Sequence, residues 1–358
     1  MVLPGFIFVI KIGMALSYEK AGVNINAADR AKEQMSSWVA RGDSRVLNQL
    51  GAFASLFAVP FKDYRDPVLV LKTEEPGTKQ KLAIQHGRVE SLAYDLINHL
   101  INDIAVMGAT PLSVQDAIIC GKLEPEVVTG MVRAIAQACR EQECTLTGGE
   151  TSEQPGVLEA GTYVLTASVV GIAERERIID GAKISAGDKV LALASNGLHT
   201  NGYSLVRKLL SNDPKLAQRP VDGSTFLDVV LRPHVCYYQA LRGLYTNPDL
   251  HGLAHITGGG IEGNLCRIIP AGVRAVIDLS SLKIPAVMRV IHEAAEATDQ
   301  DMLRTFNMGT GIAAVVSAGS VGAIQEHLTR HGCESYLIGE IVASTEEGKI
   351  GFKGSLHW

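Results

Sequence analysis

Glu74, Asp103 and Glu150 lie in separate parts of the chain, each beside a Gly- or Asn-containing stretch. Magnesium favours carboxylate oxygens, water and substrate phosphates, so three such acids can converge on a magnesium nucleotide. Each can equally serve as a cap or a solvated charge. His199 and His255 both fall in glycine-rich stretches that follow apolar runs. Imidazole titrates near neutral pH and can contact a phosphate or move a proton. Lys79, after Pro76-Gly77-Thr78, offers a phosphate a positive charge, and Lys81 follows it. Thr257-Gly258-Gly259-Gly260 precedes an apolar helix start at Ile261. A loop of that kind presents free backbone N–H groups, and its glycines let a ligand approach closely. Asn201-Gly202 before Tyr203 is a weaker version of the same signal. Either run can also be no more than a tight turn. No G-x-x-x-x-G-K-[ST] loop occurs. Gly309-Thr310-Gly311 has the spacing of a dinucleotide fingerprint, but it leads into a strand instead of opening a helix.

The elements that must hold these residues follow from the apolar pattern. Residues 68–71 form a short strand running into a polar loop, 72–79, where Pro76 and Gly77 favour a turn. Residues 90–107 form a helix. Its apolar stripe is Leu92, Leu96, Ile97, Leu100, Ile101 and Ile104; Asp95, Asn98, His99, Asn102 and Asp103 fill the other side. Gly108 ends it and Pro111 follows. A strand at 114–119 and a helix at 124–139 come next, with Pro125 suited to the first helical turn. A strand at 145–147 ends at Gly148-Gly149-Glu150-Thr151, and a long apolar strand covers 163–172. The polar, turn-rich stretch 174–188 marks a domain boundary. Beyond it come strands at 189–194, 273–277, 312–316 and 336–342, and helices at 203–210, from 261, 285–297 and 324–331. The pattern implies an α/β (α+β) chain of two domains: an extension at 1–16, an N-terminal domain at 17–176 and a C-terminal domain at 177–358.

A chain of 358 residues, 46% hydrophobic and 20% charged, can bury two cores and is not disordered. The net charge is −5, with no basic tail, which argues against a nucleic-acid-holding protein. The 36 glycines exceed the average of roughly 7% and fall in short internal runs instead of a linker. None of the six cysteines forms C-x-x-C, so reduced thiols in a cytoplasmic protein are expected. The apolar segment 2–10 is too short to span a bilayer and lacks a basic segment ahead of it. It reads as an upstream extension, with the functional chain starting near Met14, or as a weak hydrophobic anchor.

Taken in order, these motifs identify a resemblance. Ser17-Tyr18-Glu19-Lys20-Ala21-Gly22-Val23, Pro76-Gly77-Thr78-Lys79, Asn102-Asp103 with Gly108-Ala109-Thr110-Pro111, and Gly148-Gly149-Glu150-Thr151 come first. Ile178-Ile179-Asp180-Gly181, His199-Thr200-Asn201-Gly202-Tyr203, Ala254-His255-Ile256-Thr257-Gly258-Gly259-Gly260 and Phe306-Asn307-Met308-Gly309 complete the series. The chain resembles the phosphoribosylformylglycinamidine cyclo-ligase (aminoimidazole ribonucleotide synthetase) family of purine biosynthesis. The resemblance implies N-terminal domains that pair their sheets into a barrel-like homodimer core, and a C-terminal mixed sheet with helices. It implies ATP-dependent closure of formylglycinamidine ribonucleotide to aminoimidazole ribonucleotide, with ADP and phosphate released.

It implies site roles as well. Glu74, Asp103 and Glu150 would hold Mg2+; Gly77, Thr78, Lys79, Asp95, Asn102, Gly148 and Gly149 would accompany them around ATP. Asn201, Thr257, Gly258, Gly259, Gly260 and Asn307 would hold the substrate, and His199, His255 and Lys79 would be catalytic. No nucleic-acid or membrane partner is implied. The chain departs from the family's usual Thr-Asp-Gly-Val-Gly-Thr-Lys loop, reading Thr73-Glu74-Glu75-Pro76-Gly77-Thr78-Lys79. Its Gly51-Ala52-Phe53-Ala54 and Glu153-Gln154-Pro155-Gly156 stretches differ too. Glu75 resists positive φ and brings a negative charge, so weaker nucleotide binding is expected. Two alternatives stay open: another ATP-activating member of the superfamily, such as a thiamine-phosphate kinase, selenophosphate synthetase or formylglycinamidine synthase, and a non-catalytic homologue.

Overall fold

The computed structural model describes residues 25–39, 42–48, 54–345 and 348–358. The expectations for residues 1–16, for the Ser17–Val23 motif and for Gly51 to Phe53 lie outside the described residues. Helix α1 (Ile25–Met35) is followed by β1 (Pro67–Glu74), α2 (Lys79–Gln85), α3 (Val89–Ala105), β2 (Thr110–Cys120), α4 (Pro125–Glu141), β3 (Thr145–Glu153) and β4 (Tyr163–Glu174). The C-terminal half contains β5 (Lys189–Ala194), α5 (Tyr203–Asn212), β6 (Pro220–Val221), β7 (Ser224–Thr225), α6 (Phe226–Val230) and α7 (Tyr238–Leu241). It continues with β8 (Leu250–His255), α8 (Gly260–Leu265), β9 (Val273–Asp278), α9 (Ala286–Ala295), α10 (Asp299–Thr305), β10 (Thr310–Val316), α11 (Val321–Arg330), β11 (Ser335–Ala343) and β12 (Ile350–Lys353).

The strands form two main sheets, β1-β4-β2-β3 and β12-β9-β11-β5-β10-β8, with β6-β7 as a small ribbon. Both main sheets are mixed: β2–β3 and β12–β9 are parallel and the other pairs antiparallel. The mixed α/β architecture matches the pattern read from the sequence; among the described residues, neither main sheet closes into a barrel.

In the N-terminal sheet, alternation gives each face its own character. On one face Val114, Ile118, Leu165, Ala167 and Val169 are buried in the main apolar core with α3 and α4 residues such as Leu96, Leu100, Ile104, Met131 and Ile135. Each such Leu or Ile contributes about 1.5–3 kcal/mol on burial. On the opposite face Leu69 and Leu71 stand 46% and 69% exposed.

Helix α3 is buried nearly all round. Its apolar stripe faces this core, while Asp95, Asn98, His99 and Asn102, also buried, point to the C-terminal half. A helix buried on every side needs partners for its polar stripe, and here they are backbone groups of 234–237, Lys79 for Asp95 and Thr200 Oγ1 for His99.

Two local expectations are corrected. Strand β3 does not stop at Gly148: Gly148, Gly149, Glu150 and Thr151 are paired strand residues opposite Gln115 to Ile118. A Cβ on Gly149 would collide with the carboxylate and carbonyl of Asp116, so packing explains that glycine in a strand. The loop expected at 72–79 is shorter, because β1 runs on to Glu74 and α2 begins at Lys79.

Candidate active site between the two halves

Glu74 ends β1, and Asp103 lies in the last turn of α3. Lys72, two residues before Glu74 and therefore on the same face of β1, places Nζ 3.0 Å from Glu74 Oε1 and 2.9 Å from Asp103 Oδ2. Thus two of the three expected metal-binding acids converge on one cation position. Their approach to Lys72 raises its pKa despite the opposing effect of partial burial. The third acid stands apart. Glu74 pairs with Ala167, Ala167 with Asp116, and Asp116 with Gly149, so these four share the helix-covered face. Glu150 is one residue further on, and its exposed side chain belongs to the opposite face.

Asp103 also meets the C-terminal half. Its Oδ1 is 2.7 Å from Nδ1 of His255, the last residue of β8. Burial would raise the Asp103 pKa, but the hydrogen bond and charge of His255, with help from Lys72, hold it well below the usual carboxylate range. His255 Nε2 lies 3.1 Å from His234 Nε2, and the His234 ring stacks on that of His199 with centroids 3.9 Å apart. His99 sits one turn before Asp103 and contacts Thr200 Oγ1 through Nδ1 at 3.1 Å. Burial, reinforced by the charge of His255, pushes the His99 pKa down to about 4. Burial likewise holds His199 and His234 well below the usual histidine range, so both are neutral near pH 7.

His199 has φ 59°, a left-handed conformation unusual for a residue with a Cβ. Its carbonyl accepts hydrogen bonds from Lys79 Nζ at 3.1 Å and Tyr203 Oη at 3.1 Å, which helps to hold the turn. The expected role of Lys79 at a phosphate therefore needs correction. Lys79 is fully buried, and its ammonium donates to Asp95 Oδ1 at 2.8 Å, to His199 O and to Arg232 O at 2.7 Å. All three donors are used, and no exposed surface remains for a ligand.

Asp95 and Asn102 receive the same correction as nucleotide contacts. Asp95 Oδ1 also accepts the His234 N–H at 2.8 Å, while Asn102 donates to Val235 O and accepts from Tyr237 N–H, both at 2.8 Å. They position the 232–237 segment, and Asn98 joins them through His234 O at 2.6 Å. Burial lifts the Asp95 pKa to about 6 and lowers that of Lys79.

The expected phosphate loop is well formed. Gly259 and Gly260 have φ 94° and 63°, and a Cβ on Gly260 would strike the Leu303 carbonyl. Asn264 braces the loop by donating to the carbonyls of Thr257 (3.3 Å), Gly258 (3.1 Å) and Gly260 (2.9 Å). A Cβ on Gly258 would lie 3.3 Å from Asn201 Oδ1, so Asn201 borders the loop. Asn307, expected at the substrate, is 2% exposed; it bonds Ser195 Oγ, Gly197 O and Gly309 N–H, tying the neighbouring turns together. Gly77 (φ 60°) and Thr78 approach the 200–204 turn, with Thr78 Oγ1 3.4 Å from Ser204 Oγ. Glu75 is exposed, is absent from the positive-φ residues and donates its N–H to Glu74 Oε2 at 3.0 Å.

The site has members that the sequence reading did not assign. His99 carried a signal, standing four residues before Asp103 on the polar side of a helix. Lys72 shares a strand face with Glu74, which alternation would have shown had the strand been extended. His234, in Arg232-Pro233-His234, gave no sign of its place. All six cysteines are unpaired. Among the described residues, no helix is long and apolar enough to cross a membrane.

Residues 61–173 match the AIR synthase related protein N-terminal domain family, and residues 185–351 match the corresponding C-terminal domain family. The fold agrees: a HypE hydrogenase maturation protein in complex with ATP superposes with a TM-score of 0.65 at 15% identity, over 91% of each chain. Sheets, interdomain carboxylates and histidines thus belong to an AIR synthase related protein. More narrowly, the chain is 42% identical over 330 residues to a phosphoribosylformylglycinamidine cyclo-ligase of Methylobacillus flagellatus, covering 92% of this chain and 95% of the relative. It is 40% identical to that of Desulfitobacterium hafniense over 93% of this chain and 98% of the relative. The chain belongs to the phosphoribosylformylglycinamidine cyclo-ligase family. It is a ligase of purine biosynthesis, of the class that forms a C–N bond with ATP.

Proposed function

We propose that the protein closes formylglycinamidine ribonucleotide to aminoimidazole ribonucleotide, with ATP as phosphoryl donor and ADP and phosphate as products. The family membership supports the substrate, and the ATP complex of a protein with the same fold supports the nucleotide. The observation that carries a role for this site is the Asp103–His255 contact, which joins an acid of the N-terminal half to a histidine at the end of a C-terminal strand.

The chemistry needs little from the protein beyond position and charge. Amide oxygen is a poor leaving group. Transfer of the γ-phosphoryl group to that oxygen makes an imidate phosphate; the substrate's own amine then attacks the carbon and expels phosphate. His255, oriented by Asp103, and the neutral His199 are suited to hold or move the proton lost by the attacking amine. The Thr257 to Gly260 loop, braced by Asn264 and bordered by Asn201, is suited to the ribonucleotide phosphate. Gly77 and Thr78 line the nucleotide end.

Glu74 and Asp103 fit Mg2+. They offer hard oxygen donors to a single cation position, and Lys72, now at that position, has a long and partly exposed side chain that can withdraw. Magnesium, when bound, neutralises charge on the ATP phosphates. Glu150 belongs to the open sheet face. Pairing of that face with a second copy in a homodimer would cover Leu69 and Leu71 and enclose Glu150 with them. A cytoplasmic location and the lack of a nucleic-acid partner are in keeping with the net charge of −5.

ADP release measured with and without formylglycinamidine ribonucleotide tests the reading. Release that depends on this ribonucleotide supports it. Release with a different acceptor points to another member of the superfamily, and no release with either points to a non-catalytic homologue.

A further inference from the structure

The four histidines between the two halves do more than the proposed reaction requires. His199, His234 and His255 are 2%, 1% and 6% exposed. Each can place a ring nitrogen within 4.8 Å of a ring nitrogen on both of the others. Both ring nitrogens of His199 and Nδ1 of His234 are buried without a hydrogen-bond partner. Leaving such groups unmatched is costly, so three of them in one cluster point to a ligand that would satisfy them. A water could satisfy one or two. A cation that accepts imidazole lone pairs could satisfy the set.

We propose that His199, His234 and His255 form a site for a borderline divalent transition-metal ion, with Zn2+ as the reference occupant. The chemistry of the donors sets this class. Three imidazole nitrogens with no thiolate suit Zn2+, Co2+, Ni2+ or Cu2+, whereas Mg2+ prefers oxygens and belongs with Glu74 and Asp103. The support around the ligands is also of the right kind. His255 Nδ1 faces the Asp103 carboxylate at 2.7 Å, which orients the ring and turns Nε2 toward the cluster. A carboxylate behind a ligating histidine is a recurring feature of zinc sites. His234 Nε2 is already 3.1 Å from His255 Nε2. Tetrahedral bonds of about 2.0–2.1 Å separate ligand nitrogens by about 3.3 Å, close to that separation, and binding would also turn the His199 ring from its stack on His234. Three protein ligands leave a fourth position open for water.

The site is distinct from a second trio, His99, Asp103 and His255, which shares His255 but adds an oxygen donor. An ion at the three-histidine site would take the lone pairs of His199 and His255. Resting on the function proposed above, this makes Zn2+ an inhibitor of turnover that added Mg2+ does not relieve. The binding itself stands or falls independently of that activity.

The test uses the full chain. Titration of the apoprotein with Co2+ should give the visible absorption of a tetrahedral ion at one equivalent, without the charge-transfer band of cysteine ligation. Calorimetric titration with Zn2+ should show the same stoichiometry in the presence of excess Mg2+. His199→Asn and His234→Asn should each weaken Zn2+ binding at least tenfold, Asp103→Asn should weaken it about 10–100-fold, and His99→Asn should leave it unchanged. Loss of binding in His99→Asn, unchanged binding in His199→Asn or His234→Asn, or no binding at all would overturn the proposal. If a variant does not fold, X-ray absorption of the zinc-loaded wild type decides. Scattering from three imidazoles supports the site; a single imidazole among oxygens sinks it.

Discussion

The two faces of the N-terminal sheet use the same residue types for opposite ends. On the covered face Glu74 and Asp103 share Lys72, Asp103 grips His255, and Asp95 holds Lys79 without any contact with solvent. On the open face Glu150 stands exposed on edge strand β3, and Leu69 and Leu71 stand exposed on the opposite edge strand, β1. Glu74, Asp103 and Asp95 on the first side are each bound to several partners, whereas Glu150 on the second is exposed to whatever covers the sheet. An acid's type and its neighbours in sequence therefore do not tell its task. The face it occupies does.

The largest effect expected from disturbing the covered face is structural. Lys79→Ala would leave Asp95 buried without its cation and free the carbonyls of His199 and Arg232, at a cost of about 3–5 kcal/mol. Urea denaturation should show this as a lower midpoint with an unchanged slope. A loss below about 1 kcal/mol would mean that water readily replaces the ammonium.

Next comes a direct contrast of the faces. Asp103→Asn should lower turnover by roughly a hundredfold, because it removes charge stabilisation from the reacting phosphates, and should lower thermal stability as well, because it breaks the contacts with His255 and Lys72. We expect a loss of similar size for Glu150→Gln, which would tie both faces to one reaction. Wild-type turnover in Glu150→Gln would confine the reaction to the covered face.

The open face has its own test. Leu71→Lys places a charge beside Leu69 on the exposed side of β1. The wild type should scatter light as a homodimer at micromolar concentration, and the variant as a species near 38.3 kDa. A wild type that is itself monomeric across that range would leave the open face without its proposed cover.

The smallest effect concerns Asp116, on the covered face but with no cation partner among the described residues. Burial pushes its carboxyl from 3.8 up to about 7. Because the folded value lies above the unfolded one, its contribution to stability is complete below about pH 4 and is lost as the pH rises through about 7. Asp116→Asn should therefore melt a few degrees higher than wild type at pH 8, with the margin shrinking toward pH 4. A margin that does not change with pH would mean that Asp116 stays protonated, or stays ionised, throughout.

These contrasts also show what a linear reading can reach. The stripe of α3 was legible because its apolar and polar residues follow the helical period, and so were the long strands of the N-terminal half. Strand β8 was missed because Leu250-His251-Gly252-Leu253-Ala254-His255 interrupts its apolar residues with histidine and glycine. Gly148-Gly149 reads as a turn until Asp116 is seen filling the space that a side chain would need. The burial of Lys79 was beyond reach, since two of its three acceptors are carbonyls of residues 199 and 232 and carry no side-chain signature. Glu74 and Asp103 could be grouped from motif order alone. Excluding Glu150 from their side required the register of four strands.

The bonds between α3 and the 232–237 segment have a kinetic consequence. Asp95, Asn98 and Asn102 make four hydrogen bonds to that backbone, and Lys79 adds a fifth at Arg232. Breaking such a buried set at once is expensive, so the two halves do not swing apart like a jaw at each turnover. Substrate entry and product exit are then expected at the partly exposed turn at 75–78, since the 257–260 loop is braced by Asn264. A cross-link placed across the seam is therefore expected to leave turnover unchanged, which a comparison of cross-linked and free protein would check.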